Sequence, residues 1–187
     1  MRRDELEHLL RAAGAIADED TLIVIGSQAI LGTYPEAPAD VLKSIEADLI
    51  PPRHPERWNL IDGVIGEGSP FHETFGYYAD GVEETTAKLP EGWKERLVAI
   101  CNDNTRGVRG LCVEVHDLLL SKYYAGRPKD LVFTRALAAA GLANRTTLIE
   151  RLAVTEMTDD MRAIIAARIE RDFAGEETGG AQTGPND

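Results

Sequence analysis

The sequence predicts an α+β fold: a small mixed sheet flanked by helices, with a helical C-terminal half. Two observations carry this. Short β-rich apolar runs, "TLIVI" at residues 21–25 and "LVAI" at 97–100, are interleaved with helical patterns up to residue 115. After residue 115 only helical periods follow. The chain has 187 residues, 43% of them hydrophobic, which is long enough to bury a core without covalent staples.

The elements follow in order. Leu6, Leu9, Leu10, Ala13 and Ile16 recur at helical spacing over residues 4–17, with Asp4 as the expected cap. "TLIVI" reads as a buried strand, and "SQAILGTY" as a short helix with Ser27 at or near its N-cap. "SIEADLIP" alternates like a strand and is stopped by Pro51 and Pro52. Residues 55–65 form a helix with Trp58, Leu60, Ile61 and Ile65. "GEGSPFHETFGYYADGV" is too aromatic for a linker and too broken for a long helix. It reads as a loop near a pocket, with Phe71, Phe75, Tyr77 and Tyr78 as substrate-facing candidates.

"LVAI", "NDNTRG" and "LCVEV" make a hairpin whose second strand carries Glu114. Four helices follow, the first capped by Asp117, the second opened by Pro128 and closed by Gly141, the last two opened by threonines. The expected organisation is a sheet-bearing core over 1–115, a helical part over 116–173 packed on it, and a disordered polar tail over 174–187.

Composition excludes several classes. The net charge of −12 argues against extended duplex DNA and anionic membranes as partners. No stretch reaches the ~18 apolar residues of a membrane span, and the N-terminus lacks an apolar signal core. The expected location is cytoplasmic. Cys101 and Cys112 lack CxxC spacing and read as two reduced thiols in or near the strand pair. The four histidines include no i, i+4 pair for a zinc helix.

Three places can hold chemistry. Gly26-Ser27 ends a strand and starts a helix, where backbone N–H groups and a hydroxyl can take an anion. An ordinary capped turn is the bland alternative. Glu46 and Asp48, two apart on a strand, leave the same face, and paired carboxylates suit magnesium. Other acid-x-acid pairs exist, Glu5/Glu7 and Asp18/Asp20 among them, but this one lies in a β-like segment flanked by apolar residues. Glu114 is a candidate third carboxylate for the metal. Lys122, Arg127 and Lys129 place three cations within eight residues, suited to phosphates or else to a solvated helix face.

In this order "VIGSQAILG", "SIEADLI" and "HDLLLSKYYAGRPKDLVF" resemble the motifs of the minimal nucleotidyltransferase superfamily, and more closely the AbiEii-type toxin nucleotidyltransferases and their small bacterial relatives. The resemblance covers roughly residues 20–142. It implies that Gly26 and Ser27 hold the triphosphate of an NTP and that Glu46 and Asp48 bind magnesium or manganese. Lys122, with Arg127 beside it, contacts phosphates, and Asp130 is the downstream acid. The third acidic residue stays open between Glu114 and Asp130. The implied reaction transfers a nucleoside monophosphate to a hydroxyl on a tRNA 3′ end or a protein, in a toxin restrained by an antitoxin protein. A fold retained for binding without catalysis is the alternative.

Overall fold

Strand pleating sorts side chains to two faces, and this sheet uses them for different purposes. The computed structural model describes residues 1–174; from residue 175 on, the expected tail lies outside them. Five strands are present among the described residues: β1 (Thr21–Ile25), β2 (Glu46–Ile50), β3 (Tyr78–Gly81), β4 (Val98–Ile100) and β5 (Arg109–Cys112). They lie in the order β3-β2-β1-β5-β4. β1 runs antiparallel to β2 and parallel to β5; β3 is parallel to β2, and β4 antiparallel to β5. The mixed sheet of the predicted α+β class is present.

One face carries Leu22, Val24, Ala47, Leu49, Ala79, Ile100 and Cys112, none more than 1% exposed. Helices α1 (Arg3–Ala17), α2 (Ile30–Thr33) and α3 (Trp58–Ile65) cover it. The other face carries Glu46, Asp48 and Asp80 beside Ile23, Ile25 and Ile50. The strand β3 was hidden in the sequence. It has four residues and ends at Gly81, where an added Cβ would lie 1.8 Å from the Trp58 carbonyl oxygen. Only glycine lets β3 come that close to α3. Before it, α4 (Pro70–Phe75) is capped by Ser69.

The helix ends correct several expected caps. α1 begins after Arg2, not at Asp4, and Glu5 reaches back to the Arg2 N–H at 2.7 Å. The buried Glu7 accepts from Asn102 and Asn104 at 2.8 and 2.9 Å, so α1 holds the turn of the β4–β5 hairpin. Both thiols are free; Cys112 is buried in β5 and Cys101 is exposed just after β4.

After β5 the chain forms α5 (Val115–Ala125), α6 (Pro128–Ala139), α7 (Arg145–Ala153) and α8 (Asp159–Phe173), with α5 packed against the other three. Thr158 caps α8 as expected, but Asn144, not a threonine, caps α7. Tyr123 of α5 and Thr134 of α6 both donate to Asp172 of α8 at 3.1 and 2.9 Å. Glu114, expected on a strand, instead caps α5 through the His116 N–H at 3.0 Å. Asp117, expected as that cap, is fully buried inside the helix and binds Arg96 at 2.8 Å and Arg151 at 2.8 Å. Arg151 also bonds Glu114. One arginine of α7 therefore ties both acids at the start of α5.

Burial alone would raise the Glu114 carboxyl, but the His116 hydrogen bond and the Arg151 charge outweigh it and hold it at about 2. Its stabilising contribution is present above its ordinary value of 4.5 and is lost as pH falls through about 2. Arg151→Ala leaves the buried Asp117 with one partner. A loss of about 3 kcal/mol is expected in urea unfolding, the low end for a broken buried pair because the arginine is partly exposed. A loss below about 1 kcal/mol would mark the contact as an ordinary surface pair.

Candidate active site

The register of three strands builds the acidic cluster. Asp48 stands opposite Ile25 of β1 on one side and Asp80 of β3 on the other. Glu46, two residues before Asp48, shares its face and stands opposite Tyr78. One carboxylate oxygen from each of Glu46, Asp48 and Asp80 lies within 4.8 Å of the other two. The pair expected from the sequence is thus joined by Asp80. Neither Glu114 nor Asp130 belongs to this cluster: Glu114 is committed to His116 and Arg151, and Asp130 to cations of α5 and α6. The signal for Asp80 was "YYADG", a short tyrosine-rich run whose acid has no second acid at strand spacing.

Like charges this close oppose ionisation. Burial, then the Glu46 charge, push Asp48 up to about 6, against the pull of Lys122. Burial and Glu46, with Asp62 and Glu67, push Asp80 up to about 6 as well. The Glu67 backbone hydrogen-bonds Asp80, so the "GEGS" loop does border the site. Tyr78 donates to Glu46 at 3.4 Å, and burial with the Glu46 charge raises its hydroxyl to about 12. The other aromatics of that segment face away. Phe71, Phe75 and Tyr77 pack around His8 of α1, with centroids 4.7 to 6.0 Å from its ring.

Gly26 closes the cluster from β1. Its φ of 68° and ψ of −172° are glycine territory. A Cβ there would sit 1.8 Å from Asp48 Oδ2. The expected short helix after it is a single 3₁₀ turn over Ser27–Ala29 that runs into the four-residue α2. It is capped by Gly26, and no side chain caps it. So little helix makes a weak dipole, leaving the turn's backbone and the Ser27 hydroxyl as the means of holding an anion.

A cavity of about 710 Å³ opens between this turn, β2 and the α5–α6 corner. Gly26, Ser27, Glu46, Asp48, Lys122, Arg127, Lys129 and Asp130 all line it. The structure therefore brings together every residue expected to hold phosphate or metal except Glu114, while the aromatics expected to face substrate lie outside the cavity. Lys122 is 8% exposed and lies 3.4 Å from Asp130, which is 2% exposed. Asp130 also accepts from Arg127 Nε at 2.6 Å and from the Arg127 N–H at 3.3 Å, fixing the start of α6. Burial lowers the Lys122 ammonium despite the Asp130 and Asp48 charges. Burial alone would raise Asp130, but Arg127 and Lys122 hold its carboxyl below the usual range. Lys122, Arg127 and Lys129 thus share one cavity with Glu46 and Asp48, and Asp80 stands beside Asp48 on the next strand.

The family model described as "Nucleotidyltransferase of unknown function" (DUF6036) matches residues 4–173. The chain belongs to this family. The match runs from the second residue of α1 to the end of α8, so it takes in the sheet and the C-terminal helices together. No curated protein and no solved structure matches the chain. No helix among the described residues is long and apolar enough to cross a membrane.

The three carboxylates fit a hard divalent cation. They offer oxygen donors only, at close range, and a cation would relieve the repulsion that raises Asp48 and Asp80. Both acids keep protons in the fold that the unfolded chain releases near 3.8, so their contribution is full below 3.8 and is lost as pH rises through about 6. Without divalent cations the thermal midpoint should drop between about pH 4 and about pH 7, and magnesium or manganese should offset the drop. If Asp48→Asn/Asp80→Asn keeps the full drop, other groups cause it.

Proposed function

We propose that this family member is a magnesium-dependent nucleotidyltransferase that moves a nucleoside monophosphate from an NTP to a hydroxyl. The observation that carries the proposal is the placement of Glu46 and Asp48 with Gly26-Ser27 and Lys122 around one cavity, with Asp80 beside Asp48 in the acidic cluster. Gly26 and Ser27 hold the triphosphate, with close approach allowed by the missing side chain at residue 26. Lys122 and Arg127 neutralise its charge, and Asp130 positions both cations. Glu46, Asp48 and Asp80 hold the metal. Bound there, magnesium supplies charge neutralisation and orientation at the α-phosphate. The acceptor oxygen bonds to the α-phosphorus, the bridging α–β P–O bond breaks, and pyrophosphate leaves. No covalent protein nucleophile is needed, since positioning and charge account for most of the catalysis in phosphoryl chemistry.

The resemblance to AbiEii-type toxins supports a role as the toxin of a toxin–antitoxin pair. Growth arrest on expression, relieved by a neighbouring small protein, is the expected sign; unimpeded growth would remove that role. The chemistry is tested by incubating the protein with labelled NTPs, magnesium, tRNA and lysate. A labelled product is expected, reduced ~10²–10³-fold by Asp48→Asn or Asp80→Asn, as for lost transition-state stabilisers. Lys122→Met should mainly raise the KM for NTP. NTP binding without pyrophosphate release under any acceptor would leave a binding module instead.

A further inference from the structure

The open face of the sheet continues past the acids. One pleat repeat beyond Ile25, Asp48 and Asp80 stand Ile23, Ile50 and Val82, a row extended onto β5 by Leu111. The Val82 N–H still bonds the Leu49 carbonyl at 2.9 Å, so Val82 keeps strand register beside Ile50. This row is the floor of a second cavity of about 540 Å³, walled by Trp58. Two residues of strand are about 7 Å, so the floor begins one side chain away from the acids. The direction matters. Gly26, Ser27, Glu46 and Lys122 lie on the opposite side of the Asp48 row, in the first cavity.

We infer that this second cavity is the acceptor site, and that the acceptor is a hydroxyl-bearing side chain on a basic segment of another protein. The inference rests on the nucleotidyltransferase reading. In-line displacement puts the attacking oxygen opposite the leaving pyrophosphate. With the triphosphate on the Gly26-Ser27 side, the attacking oxygen enters from the Ile50–Val82 side. There it bonds to the α-phosphorus, pyrophosphate departs toward Lys122, and the hydroxyl proton goes to solvent.

The walls choose the chemistry. Glu56, Glu83 and Glu84 line the cavity against one cation, Lys94, which already sits 2.8 Å from Glu84. That excess of acid repels the phosphates of a tRNA end and attracts lysine or arginine. The Trp58 ring and the aliphatic floor suit the stems of such side chains, and an indole face also attracts their cationic heads. The volume lies within the ~300–1,000 Å³ usual for specific pockets.

The test uses the full chain and three probes: a peptide with one tyrosine or serine between lysines and arginines, the same peptide with acids in place of the basic residues, and deacylated tRNA. Calorimetry without nucleotide or metal should show binding of the basic peptide alone. Labelled NTP with magnesium should then label its hydroxyl. The charge reversal Glu56→Lys/Glu83→Lys, at two exposed positions, should weaken peptide binding at least tenfold; NTP binding by the same variant, measured in parallel, tells a lost groove from a lost fold. Equal binding of the acidic peptide, or indifference to the reversal, overturns the inference. Labelling of tRNA with no peptide binding overturns the groove assignment and leaves the transferase reading standing. Peptide binding with no transfer to any acceptor overturns the transferase reading itself.

Discussion

Three carboxylates that share a space 4.8 Å wide repel one another, and the rest of the site is organised around that repulsion. The fold gains nothing in stability from such crowding, because each acid raises the cost of ionising the next. The register of β1, β2 and β3 nevertheless forces the crowding, since Asp48 and Asp80 are direct partners and Glu46 is one repeat away. Gly26 narrows the space further by leaving Asp48 where a Cβ would be. Backbone in a glycine-only conformation and unfavourable charge, side by side, mark a place where stability yields to function.

The C-terminal helices hold the compensating charge in place. α5 carries Lys122 into the cavity wall, and α6 brings Arg127 and Asp130 beside it. The far end of α5 is clamped by Arg151 to Glu114 and Asp117 and by Arg96 to Asp117. Asp172 links α5, α6 and α8 from the other side. Fixing both cations before a phosphate arrives lowers the ordering cost at the moment of binding.

Much of this was legible in the sequence, and the gaps have physical causes. β1, the hairpin and helices α5 to α8 were plain because their apolar periods are unbroken. Gly26-Ser27, Glu46/Asp48, Lys122, Arg127 and Asp130 were found, and they meet in one cavity. β3 was missed because its contact with α3 replaces a strand-forming side chain by Gly81. Asp80 was missed with it, since its neighbours in the site come through pairing with β2 and leave no local spacing to read. Glu114 was misplaced because "LCVEV" alternates like a strand up to Val115, while the chain leaves the sheet after Cys112. Its carboxylate then finds a helix N–H and Arg151, partners 2 and 37 residues away.

β3 has one further consequence. It is an edge strand, held in the sheet by β2 alone. Edge elements open more readily than central ones, with local free energies below that of global unfolding. Asp80 therefore sits on the sheet's edge, whereas Glu46 and Asp48 sit on an interior strand. A cation held by Glu46, Asp48 and Asp80 would tie that edge to the interior strand. By linkage, an ion that binds only the ordered edge would add its binding free energy to the pairing with β2 that already holds the edge. Metal affinity and edge order would then be coupled, and both would respond to the contact of Gly81, the residue after Asp80, with Trp58.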